Sequence, residues 1–149
     1  MMMGKITLPN DVLLDEVARL VDEGEAVTLM TKGASMLPFI VGGRDSVLLV
    51  RPEELFPGMI VLAYVQGGRY VLHRILSVDG TKVVLMGDGN IKGVEVCAPA
   101  DVKAVAVRIS RPSGEVDCLS KRHLRQAAIW KTLFPVRRWI LAVYRRLFI

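Results

Sequence analysis

The stretch MIVLAYVQGGRYVLHRILSVDGTKVVLM, Met59–Met86, holds three apolar runs of strand length separated by two glycine turns. Met59–Val65, Tyr70–Val78 and Lys82–Met86 are rich in β-branched residues, and Gly67-Gly68 and Asp79-Gly80 are the residue pairs that tight hairpins demand. The stretch predicts an antiparallel meander. The same rhythm continues outward. Ala26–Met30, Ser46–Val50 and Val102–Ile109 read as further strands, with Gly42-Gly43, Pro57-Gly58 and Gly87-Asp88-Gly89-Asn90 as turns between them. Closely spaced strands joined this way imply a mainly β fold, a compact antiparallel sheet or partly open barrel. Arg111-Pro112-Ser113-Gly114 reads as the exit turn from this β body.

Helical patterns flank the body. Val12, Leu13, Val17, Leu20 and Val21 recur at helical spacing, with Asn10 as a candidate cap, acids in the first turns and Gly24 as the stop. The chain divides accordingly into an N-terminal helix (1–24), a β domain (25–118) and a helical tail (119–149). At about 100° per residue, Leu133, Val136, Trp139, Ile140, Val143, Tyr144 and Leu147 of the tail share a broad arc, opposite Lys131, Arg138 and Arg145, with Arg137 and Arg146 at its margins. Pro135 should split the tail into two helices, roughly 120–133 and 136–149.

The formal net charge of +5 conceals an asymmetry. Residues 1–120 carry 12 Lys/Arg against all 15 Asp/Glu, whereas residues 121–149 carry 8 Lys/Arg and no acid. A mildly acidic body with a basic amphipathic tail points to an anionic partner surface for the tail. A membrane surface fits residues 121–149 best; packing on the β body or a second subunit is the alternative, and nucleic acid is not expected. Met1–Asn10 lacks the apolar run of a cleavable signal, and the longest uncharged stretch of the basic tail, Trp139–Tyr144, is too short to span a bilayer. Cys97 and Cys118 fall in no CxxC or metal pattern and read as small apolar residues. His73 and His123 are too isolated for a zinc site, so neither metal nor cofactor is expected.

Three short segments could carry chemistry. Gly33-Ala34-Ser35-Met36-Leu37-Pro38 follows an apolar strand; small residues ahead of Ser35 let another chain approach closely, and Met36 and Pro38 would anchor the serine's flank. Tyr70-Val71-Leu72-His73-Arg74-Ile75 interrupts an apolar strand with two polar residues on opposite faces, His73 sharing its face with Val71 and Ile75. Met86-Gly87-Asp88-Gly89-Asn90 sets a carboxylate between glycines. Singly, these read as a serine turn, a core histidine and a turn-forming aspartate.

Jointly, and in this order, they resemble the signal peptidase and SOS-repressor (LexA-like) superfamily of serine peptidases, over Val27–Val107. Its members carry a Ser-Met-x-Pro segment, a strand with the general base, and a Gly-Asp-x-Asn segment. The resemblance implies a signal-peptidase-like β fold with Ser35 as nucleophile. It further implies His73 as base, as in the archaeal and endoplasmic-reticulum branch, where the bacterial type I branch and the SOS repressors use lysine. Lys82 lies outside the matched motif. Asp88 is then the expected orienting carboxylate, and Gly33, Ala34, Ser35 and Met36 the oxyanion and substrate-binding segment. The chemistry is coherent: a serine hydroxyl needs a base, an imidazole titrates near neutrality, and a carboxylate on the far ring nitrogen holds its tautomer.

The chain departs from the family at three points. Gly33 stands where many signal peptidases carry a serine that assists the oxyanion hole. Gly-Asp-Gly-Asn replaces Gly-Asp-Asn-Asn, and no spanning helix is expected ahead of the serine. The expected function is a serine endopeptidase that cleaves a leader or signal peptide, binding its substrate as an extended strand against Ala26–Met30. The alternative is a non-catalytic peptide-binding or regulatory module of the same fold. A self-cleaving repressor would need a DNA-binding helix pair ahead of Ser35, and only one helix is expected there.

Overall fold

A computed structural model describes residues 10–148. Helix α1 (Asn10–Asp22) precedes strands β1 (Val27–Met30), β2 (Ser46–Val50), β3 (Ile60–Val65), β4 (Arg69–Val78), β5 (Val83–Met86) and β6 (Glu95–Cys97). A 3-10 turn at Pro99–Asp101 leads into β7 (Val102–Arg111) and β8 (Gly114–Asp117), followed by helices α2 (Lys121–Thr132) and α3 (Arg137–Phe148). The fold is mainly β, as expected. β3, β4 and β5 form the antiparallel meander that their turns demand, Leu62 opposite Leu72 and Ile75 opposite Leu85. Two strands escaped the sequence reading. β6 has only three residues, and β8 follows the turn read as an exit, which instead folds the chain back on β7.

The strands form one antiparallel sheet in the order β1-β2-β7-β3-β4-β5-β6, with β8 attached to β7. Register shifts at Leu48/Leu49, Leu62/Ala63 and Ile75/Ser77 strengthen its twist, and the sheet curls into a half-barrel. The curl brings β6 back toward the end of β3, where the Gln66 N–H donates to the Val96 carbonyl at 3.1 Å. Both faces of β3 are consequently buried. Ile60 and Leu62 pack with Val47, Leu49 and Ile109 beneath Val17 and Val21 of α1. Val61, Ala63 and Val65 pack with Val83, Leu85 and Cys97 inside the curl. Cys118 lies in the first of these cores; burial pushes its thiol up to about 12 and raises that of Cys97, so both act as small apolar residues. The side chain of Asn10, the candidate cap, lies outside the described residues, as do residues 1–9.

Pro135 separates α2 from α3 within a 3-10 turn, Phe134–Val136. The tail packs against the body through a third core, in which Trp130 and Leu141 meet Leu37, with Phe39, Val41 and Tyr144 around them. The arc drawn from the sequence divides here. Tyr144 turns inward, whereas Trp139, Val143 and Leu147 remain exposed. Arg137, placed by periodicity at the margin of the arc, is buried: its guanidinium lies over the Trp130 and Phe134 rings and donates to the Asn90 and Trp130 carbonyls. Among the described residues, no helix is long and apolar enough to cross a membrane.

Leu62 is sealed between α1 and the sheet, so Leu62→Ala should cost about 2–5 kcal/mol in urea unfolding. Val143→Ala, on an exposed face, should change stability by less than about 0.5 kcal/mol in the same assay.

Candidate active site

Ser35 lies in the loop between β1 and β2, half-buried, ahead of the buried Met36 and Leu37. Leu37 rather than Pro38 is the second anchor, because its side chain reaches the Trp130–Leu141 core. The base of the loop closes through Thr31, whose N–H and hydroxyl both donate to the Asp45 carbonyl, and through the Asp45 carboxylate, which accepts from the Val41 N–H at 2.9 Å. The peptide Leu37-Pro38 is cis.

The segment Gly87–Asn90 is stitched directly to this loop. The Gly89 N–H donates to the Ser35 carbonyl at 2.8 Å, and the Asp88 N–H approaches the Met36 sulfur at 3.5 Å. A Cβ on Gly87 would lie 2.3 Å from the Ser35 carbonyl oxygen, and one on Gly89 would lie 2.2 Å from that of Ala34. Neither position has room for a side chain, which accounts physically for glycine at the third place of Gly-Asp-Gly-Asn.

His73, from the middle of β4, is buried and lines the same cleft as Ser35. The cleft has a volume of about 390 Å³; Gly33, Met36 and Asn90 join its wall, together with Leu29 and Met30 of β1. Ala34 is exposed and meets the Gly87–Asn90 segment through its carbonyl. Among the described residues β1 pairs only with β2, so its other edge is free along the cleft.

The carboxylate on His73 is Glu95, not Asp88. Imidazole Nδ1 lies 2.6 Å from Glu95 Oε1, and Arg69 donates to Glu95 Oε2 at 3.2 Å. A carboxylate only accepts, so Nδ1 carries the proton and Nε2 is the basic nitrogen. Burial lowers the pKa of His73 below its ordinary value; the Glu95 charge and hydrogen bond work against that, as does Asp88 more weakly. At neutral pH the imidazole is neutral and able to accept a proton. Ser35 and His73 share the cleft without a hydrogen bond between their side chains.

Asp88 stands on the other side of the strand. Its carboxylate is engaged by Arg74, with Nε 2.9 and 3.0 Å from its two oxygens and Nη2 2.6 Å from Oδ2. Side-chain alternation along β4 is the reason: His73 and Arg74 point to opposite faces, and Asp88 lies on the Arg74 face. Arg74 also donates to the Gly58 carbonyl at 2.8 Å and to His123 Nε2 at 3.2 Å, with its guanidinium over Phe39. Trp130 Nε1 donates to the Asp88 carbonyl at 2.8 Å. The pair therefore supports the site from behind. Glu95 went unread because β6 is too short to register as a strand, although it is the only acid between Asp88 and Asp101. Among the described residues, no group of three or more His, Cys, Asp or Glu side chains is placed to hold a metal ion.

Comparison with protein-family models, curated proteins and solved structures gives no match.

His123 generates a pH-dependent stability. Burial, then Arg74 and Arg111, lower its pKa from 6.5 to about 4, because the neutral ring accepts from Arg74 and an imidazolium would face that guanidinium. The unfolded chain binds a proton on this residue below about pH 6.5, whereas the folded chain does so only near pH 4. Stability should accordingly fall as pH drops through that window, by roughly 3 kcal/mol from this group. Urea unfolding at pH 7 and pH 5 measures the decline. His123→Gln, which keeps an acceptor without a titrating ring, should flatten it.

Proposed function

We propose that the protein is a serine endopeptidase of the signal peptidase I type, cleaving a leader or signal peptide bound as an extended strand. The observation that carries this reading is the joint placement of Ser35 and His73 in one cleft, with Glu95 on the imidazole and, alongside, the edge of β1 that pairs with no other described strand. Sequence likeness in the Ser-Met-x-Pro, His-Arg and Gly-Asp segments supports it independently.

His73 Nε2 removes the hydroxyl proton as Ser35 Oγ attacks the scissile carbonyl, forming a tetrahedral oxyanion. The proton passes from the imidazolium to the departing amine, leaving an acyl ester on Ser35. Water, deprotonated by the same nitrogen, then hydrolyses that ester. General-base assistance of this kind contributes about 10²–10⁴-fold, and Glu95 stabilises the imidazolium formed in each half-reaction. The oxyanion is received by backbone N–H groups, that of Ser35 foremost, since Gly33 has no hydroxyl to add; one such donor is worth about 10²–10³-fold. Substrate pairs with the edge of β1, its side chains meeting Leu29, Met30 and Val71. Resemblance to signal peptidases implies cleavage after small residues near an apolar segment. The enzyme works in the aqueous phase or against a membrane surface.

Two measurements test the reading. A fluorophosphonate probe should label the wild type, and Ser35→Ala should abolish labelling while remaining folded by circular dichroism. Equal behaviour of the two proteins would overturn the enzyme and leave a peptide-binding module. On a cleavable peptide, kcat/KM should be level near neutrality and fall on an acid limb centred below pH 6.5 as His73 gains its proton. Glu95→Gln removes the charge that favours the imidazolium. It should move that limb to still lower pH and reduce the plateau at least about tenfold.

A further inference from the structure

We infer that the outward stripe of α3 is a docking face for an anionic lipid bilayer. Trp139, Val143 and Leu147 recur at i, i+4 and i+8 and are 67%, 58% and 68% exposed, with Ile140 beside them. Large apolar side chains in a contiguous row on a helix surface mark an interaction site rather than ordinary surface. The inward positions of the same helix are already filled. Leu141 and Tyr144 pack under the Ser35 loop, and Arg137 holds the Asn90 carbonyl at 3.2 Å. The stripe is therefore surplus to folding.

Charge selects the occupant. Arg138, Arg145 and Arg146 are exposed on the remaining surface of α3, and no acidic residue lies anywhere from 121 to 149. An apolar row with Arg146 at its margin, on a helix whose charges are all basic, matches an interfacial helix, whose rings and methyls enter the acyl boundary while the marginal guanidinium reaches the headgroups. A second copy of the chain is disfavoured by the same residues. A two-fold contact sets the stripe against itself, bringing Arg146 of both copies to the seam with no carboxylate on either α3 to pair with it. The docking face is independent of peptidase chemistry.

The test is co-sedimentation of the full chain with phosphatidylcholine vesicles, either pure or containing about 30% phosphatidylglycerol. Wild type should sediment with the anionic vesicles and not with the neutral ones, and added salt should release it. Joint substitution of Arg138, Arg145 and Arg146 by Gln should weaken binding at least about fivefold. Trp139→Ala with Leu147→Ala should abolish it, with both variants melting as wild type does because these side chains are exposed. Ser35→Ala should bind as well as wild type, which separates this result from any failure of the peptidase reading. Absence of binding, or equal binding to both vesicles, would overturn the proposal. So would a dimer in sedimentation velocity that Leu147→Asp dissociates, since the stripe would then be a subunit interface.

Discussion

The buried ion pair between Arg74 and Asp88 ties four parts of the molecule together. It joins β4 to the segment Gly87–Asn90 by three short contacts, reaches the Gly58 turn through the Gly58 carbonyl, and touches α2 through His123. Removing two charges from water is expensive, and attraction repays that cost only when the remaining donors are satisfied. Arg74 meets that condition: each of its nitrogens has an acceptor. With Asp88 held, Gly89 and Met36 align the serine loop, so the position of Ser35 depends on an ion pair whose members lie outside the proposed proton path.

α2 and α3 belong to the same construction. Trp130 donates to the Asp88 carbonyl, Arg137 to that of Asn90, and Leu141 closes over Leu37. The tail thus braces the serine loop and the Gly87–Asn90 segment, while the outward row of α3 stays exposed. Burying the uncompensated Arg137 guanidinium is tolerated because it lies over two aromatic faces and donates to carbonyls; desolvation still lowers its pKa.

The strand reading was legible because hairpin turns announce themselves. Gly67 and Gly68 both adopt positive φ, which side chains disfavour, and the runs they join pair as their lengths suggest. His73 was legible as a residue in need of a partner because a polar side chain inside an apolar strand must be satisfied. The choice of carboxylate was not. Asp88 stands beside a glycine turn and is conspicuous, but β4 alternation assigns it to Arg74, whereas Glu95 sits in a three-residue strand with little pattern of its own.

By itself, the sequence determined which residues share a face of a strand or helix, since that follows from side-chain alternation and helical periodicity. It set the meander, the break at Pro135 and the opposed directions of His73 and Arg74. The tertiary structure alone decided what each face meets. The curl of the sheet carries β6 back past the end of β3 and brings Glu95 to His73, and the docking of α3 buries Arg137 and Tyr144 while leaving Trp139 outside. Both outcomes arise from contacts between segments distant in the chain, where local spacing carries no information about the partner.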